Sequence, residues 1–198
     1  MIPAREALAR LREGNRRFVA SVPSPAGRPS AGQAPFAIIL GCSDARVPAE
    51  LVFGQGFGDL FVIRVAGNIV APSQVGSVEF AAELFGTQLA VVLGHTQCGA
   101  VAATLEQLRE PQANQSPNLR AIVERIRPAV EPLLALPIAK DPAALAQRAM
   151  RANVEASVNQ LRHGSALLER RIEEDGLLIV GAEYHVEEGT VKFFDGVN

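Results

Sequence analysis

Two short apolar runs, Phe36-Ala37-Ile38-Ile39-Leu40-Gly41 and Leu89-Ala90-Val91-Val92-Leu93-Gly94, each end on a glycine that is followed at once by a good metal ligand. Runs of this length, apolar at nearly every position, suit strands buried on both faces of a parallel sheet. The first run delivers Cys42-Ser43-Asp44-Ala45-Arg46 and the second delivers His95-Thr96-Gln97-Cys98-Gly99. Both clusters therefore leave the sheet at strand C-terminal ends, where open α/β sheets place their ligands.

The rest of the chain fits that frame. Residues 60–65 and 177–181 read as further strands, and 184–194 turn back as a hairpin through Glu188-Gly189. Helical spacing marks 4–19, 73–85 with Gly86 as its stop, about 98–109, 118–135 and 142–173, the last opened by Asp141-Pro142. Strands alternating with helices predict an α/β fold with a mainly parallel central sheet flanked by helices. Residues 21–35 are rich in Pro, Gly and Ser and read as an extended arm, and 111–117 as a loop. The expected organisation is one domain over 1–198, with 1–35 forming a protruding N-terminal helix and arm that pack on a partner subunit.

Charge narrows the function. With 19 basic and 21 acidic residues and a net charge of −2, nothing favours nucleic acid or an anionic membrane as a partner. No run approaches the roughly 18 apolar residues that span a bilayer. The N-terminus carries Arg5 and Glu6 where a signal peptide has its apolar stretch. The expectation is a soluble, cytoplasmic protein, although a chain whose leader had been removed would look the same.

The two cysteines give the chemistry its focus, since a chain of this size does not need a disulfide as a staple. In an extended strand exit, residues two apart point the same way, so Cys42 and Asp44 can face one ion together. His95 and Cys98 are three apart, and a tight turn into a helix, eased by Gly94 and Gly99, brings them to one point. Singly, each has an ordinary explanation: a small buried filler, an ion pair with Arg46, a hydrogen bond to a carbonyl. Together, two thiolates, one imidazole and one carboxylate in one crevice complete a tetrahedral zinc sphere.

These residues also carry a resemblance. Cys42-Ser43-Asp44-Ala45-Arg46-Val47 and Gly94-His95-Thr96-Gln97-Cys98-Gly99 resemble the two signature motifs of the beta-class carbonic anhydrases. The similarity extends through Phe61-Val62-Ile63-Arg64-Val65-Ala66-Gly67-Asn68 and Leu11-Arg12-Glu13-Gly14-Asn15-Arg16-Arg17-Phe18. It implies a zinc lyase that interconverts carbon dioxide and bicarbonate through zinc-bound hydroxide, working as a homodimer or higher homo-oligomer. Cys42, His95 and Cys98 would hold Zn2+. Asp44 would either pair with Arg46 and orient the attacking group, or take the fourth metal position and block catalysis. Substrate contacts carried over by position are Gln33 and the Gly99 N–H as donors, with Phe61 and Ala66 as apolar walls; Phe80 stands where some members have tyrosine. A second bicarbonate site found in some members needs a Trp where this chain has Ile39, so Arg64 and Tyr184 are not expected to form it. Arg64 is then structural or at a dimer contact.

Three rivals remain. Relatives that hydrolyse carbon disulfide or carbonyl sulfide share the same ligands. A non-catalytic zinc scaffold would not need Asp44, Arg46 or Gln33, and a thiol-redox protein would use Cys42 and Cys98 without metal. Elsewhere, His163 reads as solvent-facing and His185 as a subunit contact. Arg151, Arg162, Arg170 and Arg171 among Glu169, Glu173 and Glu174 read as a solvated helix surface. Gly54, Gly56 and Gly58 lack the strand-to-helix context of a dinucleotide loop.

Overall fold

The computed structural model describes residues 2–21, 32–111 and 116–197. They fall into two units, Met1–Gln33 and Ala34–Asn198. The first holds α1 (Ala4–Ser21), an amphipathic helix with no buried residue. Most of the expected arm, and the middle of the 111–117 loop, lie outside the described residues.

The second unit is built on one sheet. Its elements run β1 (Ala37–Gly41), α2 (Ala49–Val52), β2 (Leu60–Arg64), a 3-10 turn (Ala66–Asn68), α3 (Pro72–Leu84), β3 (Leu89–His95), α4 (Gly99–Arg109), α5 (Pro117–Val130), α6 (Pro142–His163), α7 (Ala166–Asp175), β4 (Leu178–His185) and β5 (Thr190–Asp195). Two 3-10 stretches, Glu131–Ala135 and Pro137–Lys140, carry the chain from α5 to α6. The strand order is β2-β1-β3-β4-β5. The first four strands are mutually parallel, and β5 folds back antiparallel on β4. β1 and β3 are adjacent at the middle of the sheet, in register from Ile38↔Ala90 to Gly41↔Leu93. Their exits therefore lie side by side, as the apolar runs predict.

Burial on both faces explains why β1 and β3 are apolar throughout. Ile38, Leu40, Ala90 and Val92 pack towards Val78 and Ala81 of α3 and Val154 and Val158 of α6. Ile39, Val91, Leu93 and Val180 pack on the other face with Val47 and Ala49. Helix α6 lies close against the sheet because β3 offers it a glycine. A Cβ on Gly94 would meet Val154 Cγ2 at 2.5 Å and Met150 Sδ at 2.8 Å. Contacts that short force the helix outward, so the glycine sets the spacing between layers.

The structure departs from the sequence reading in several places. The helix expected over 118–135 stops at Val130 and continues as the 3-10 stretch Glu131–Ala135, and the short α2 was not foreseen. The helix expected over 142–173 is two helices: α6 ends at Gly164, and Ser165 caps α7 by accepting a hydrogen bond from the Leu168 N–H. Strand β4 runs on to His185, beyond the 177–181 stretch, although the hairpin turns at 186–189, through the expected Glu188-Gly189. The solvated arginine surface is also incorrect in part. Arg151 pairs at 2.6 Å with Glu183, which is fully buried, and Arg162 donates to the Ile179 carbonyl and pairs with Asp195. Helical periodicity places these side chains on one face, but it does not say that α6 lays that face against the sheet.

Candidate metal centre

Cys42 is the first residue after β1 and is buried. Its position is fixed from three sides. Val65 N–H donates to the Gly41 carbonyl at 3.1 Å, continuing the β1–β2 ladder past the strand ends. Arg64, at the end of β2, donates through Nε to the Cys42 carbonyl at 3.0 Å and through Nη2 to the Asp44 carbonyl at 2.6 Å. The Gly67 N–H donates to Cys42 Sγ at 3.3 Å. Gly67 has φ 71°, a left-handed state suited to glycine, and a Cβ there would lie 2.8 Å from Ile126 Cδ1. The turn carrying it is held from α6, where Asn153 donates to the Gly67 carbonyl at 2.8 Å and Ser157 to the Asn68 carbonyl at 3.1 Å.

His95 ends β3 and is fully buried. Its Nδ1 lies 2.9 Å from the Thr96 carbonyl. A carbonyl only accepts, so Nδ1 carries the proton and Nε2 presents a lone pair. That Nε2 is buried and has no hydrogen-bond partner. Cys98 is the N-cap residue of α4, also buried. Ligand atoms of Cys42, His95 and Cys98 all lie within 4.8 Å of one another. Both cysteines are free thiols rather than a disulfide.

The titration behaviour follows from this crowding. Cys42 is drawn down to about 3, first by the hydrogen bond from Cys98, with His95 and the Gly67 N–H adding to it against the cost of burial. Cys98 is pushed well up by that same hydrogen bond and by burial. The two sulfurs thus share one proton. Burial opposes protonation of His95, but the Cys42 sulfur, the Thr96 carbonyl and the Asp44 carboxylate together outweigh it and raise the imidazole above its ordinary value. An unpartnered buried nitrogen facing a thiolate–thiol pair is a donor set for a soft or borderline divalent cation.

Asp44 does not join the three ligand atoms. Its carboxylate is gripped by Arg46, with Nε to Oδ1 at 3.0 Å, Nη2 to Oδ2 at 2.8 Å and the Arg46 backbone N–H to Oδ1 at 2.9 Å. This fork holds the Asp44 carboxyl well below the usual carboxylate range. Of the four predicted ligands, three converge and the fourth faces its arginine.

The other predicted residues fall at varied distances from this centre. Ala66 opens the turn whose next residue contacts Cys42 Sγ. Gly99 is the exposed first residue of α4, beside Cys98, and the space where a Cβ would stand is open. Phe61 pairs in register with Ile38, four residues before Cys42, and its ring packs with Phe80 and Phe85. Gln33 is exposed at the end of the N-terminal unit. His163 is exposed, 3.9 Å from Glu169, whereas His185 Nε2 lies 3.4 Å from the buried Glu183.

Sequence reasoning missed two contributors. Gln97, inside the second motif, has φ 60° and accepts from Arg46 Nη1 at 3.0 Å. Glu187, in the β4–β5 turn, accepts from Gln97 Nε2 at 2.7 Å. Gln97 sat between two ligands and carried a signal in its position; Glu187 carried none, because its place depends on the hairpin register.

The family model described as carbonic anhydrase matches residues 37–191. The chain belongs to the beta-class carbonic anhydrases. Carbonic anhydrase 2 of Mycobacterium tuberculosis is 36% identical over 194 residues, which cover 94% of this chain and 91% of that protein. Among solved structures, the beta-carbonic anhydrase CcaA matches with a TM-score of 0.83 at 27% identity, covering 97% of this chain and 89% of that one. A tetrameric beta-carbonic anhydrase from the filamentous ascomycete Sordaria macrospora matches with a TM-score of 0.76 at 25% identity, over 96% of this chain and 95% of that one. The fold of this chain, a mainly parallel central sheet flanked by helices, matches that of those beta-carbonic anhydrases. No described helix is long and apolar enough to cross a membrane.

Proposed function

We propose that this carbonic anhydrase is a zinc enzyme that reversibly hydrates carbon dioxide to bicarbonate and a proton. The observation that carries this reading is the convergence of two cysteine sulfurs and one unpartnered imidazole nitrogen within 4.8 Å, beside a carboxylate held by an arginine. Cys42, His95 and Cys98 would hold the ion; Zn2+ bound there supplies a water acidic enough to serve as hydroxide near neutrality. Two thiolates cancel the formal charge of the metal, so activity is expected to rise through the alkaline side of neutrality.

The chain's own groups then have distinct tasks. Asp44, ionised because Arg46 grips it, accepts a hydrogen bond from the attacking group and orients its lone pair. Arg46 keeps that carboxylate from turning towards the ligand atoms, and so acts as a gate. The Gly99 N–H, at the start of α4 beside Cys98, is proposed as a donor to an oxygen of the substrate. Gln33 is proposed as a second donor, and Ala66 and Phe61 as apolar walls. The tetrameric Sordaria relative supports a homo-oligomer, the balanced charge gives no pull towards a membrane or nucleic acid, and the cytoplasm is the proposed location.

The test is carbon dioxide hydration measured by stopped flow against pH, with metal analysis on the same sample. One zinc per chain and a rate rising above neutrality are expected. A rate flat from pH 6 to 9 in saturating buffer, or turnover of carbonyl sulfide or carbon disulfide in place of carbon dioxide, would overturn the assignment.

A further inference from the structure

Arg46 is held at both ends. One end forks onto Asp44, and the other reaches across to the second motif, where Nη1 donates to Gln97 Oε1 at 3.0 Å and Nη2 to the Gln97 carbonyl at 3.4 Å. The Gln97 amide nitrogen in turn donates to Glu187 Oε1 at 2.7 Å. The amide can face only one way here, since the guanidinium offers donors alone and the carboxylate acceptors alone. Glu187 is carried on the 186–189 turn, and that turn is pinned to the ligand loop. Thr96 N–H donates to the Tyr184 carbonyl at 3.0 Å, and Val186 N–H donates to Thr96 Oγ1 at 3.1 Å.

We propose that Gln97 and Glu187 are positioning residues that hold Arg46 on Asp44 and so keep the gate open, linking the first metal-ligand loop to the β4–β5 hairpin. The inference presupposes the gate role of the Asp44–Arg46 pair. Gln97 acts as an adaptor. It turns the negative charge of Glu187 into a neutral acceptor, so Arg46 is anchored without a second carboxylate competing with Asp44 for it. Without Glu187 the amide loses the partner that orients it, and donors can face donors across the Arg46 contact. The backbone bears this out as a costly choice. Gln97 sits at φ 60°, uncommon outside glycine, at a position where a glycine would be relaxed but would carry no amide.

The experiment measures thiocyanate affinity by visible absorption of the cobalt-substituted protein. With Arg46 released, the Asp44 carboxylate can turn to the place an anion needs, and thiocyanate binds more weakly. Arg46→Ala sets the full effect. Gln97→Gly, which relieves the backbone, and Glu187→Ala, in an exposed turn, should each weaken thiocyanate by about threefold to tenfold, in keeping with partly exposed charged contacts. Glu187→Gln, which still offers an acceptor, should stay within about twofold of the parent on the same scale. If Gln97→Gly and Glu187→Ala bind thiocyanate like the parent while Arg46→Ala does not, the positioning role is wrong and the gate stands. If Arg46→Ala itself has no effect, the gate fails and this inference fails with it.

Discussion

Asn153 Nδ2 lies 2.8 Å from the Gly67 carbonyl, joining the middle of α6 to the turn whose N–H reaches Cys42 Sγ. Both partners are buried. Removing the amide leaves a buried carbonyl without its donor, which costs about 1–3 kcal/mol. Asn153→Ala is expected to lower stability by that amount in urea unfolding of the zinc-free protein, and to loosen zinc retention besides. An unchanged midpoint and unchanged chelator resistance would show that the turn holds its shape unaided.

Glu183 is a fully buried carboxylate whose counter-charge comes from Arg151, with Gln147 and His185 3.4 Å away. Arg151→Met strands that charge, and losses of about 3–5 kcal/mol are typical when one partner of a buried pair is removed. Pairing it with Glu183→Leu should recover most of the loss. If the double variant is no more stable than the single one, the pair is not the source.

Arg64 grips the carbonyls of Cys42 and Asp44 from the edge strand β2. Arg64→Gln should speed zinc loss to a chelator by about tenfold, or ~1.4 kcal/mol, because Arg64 is exposed and its contacts are discounted by solvent. Wild-type chelation kinetics in that variant would count against any part for Arg64 in shaping the ligand loop.

Proton release gives an independent check on the ligand set. The sulfurs share one proton before metal arrives, Cys98 being raised and Cys42 lowered, and His95 is raised above its ordinary value. Raised groups hold protons that the metal must expel, so affinity falls as pH falls. Zinc binding at pH 7 is expected to release between one and two protons, with affinity changing about tenfold per pH unit for each. Calorimetry in buffers of different ionisation enthalpy counts them. Release of none would mean that the thiol pair is not the binding site.

The sheet and the three converging ligands were legible because two signals coincided. Ile38 to Leu40 and Ala90 to Leu93 are apolar at every position, and each run ends where a ligand begins. The break at Gly164-Ser165 was not, since a single cap residue is a weak signal inside a long helical pattern. Nor was the burial of Glu183, whose partner Arg151 looks like any other surface arginine until α6 is laid on the sheet. The contacts of Gln97 with Arg46 and Glu187 span 51 and 90 residues of sequence, and only the fold brings such positions together.

The separation of the ligands along the chain has a consequence for biosynthesis. Cys42 emerges from the ribosome long before His95 and Cys98, and β3 must add beside β1 before the three atoms meet. A nascent polypeptide halted before residue 95 should capture zinc no better than a short peptide containing one cysteine. Loading with the proposed zinc would thus wait on the central strand, the ion meeting a finished pocket or none at all.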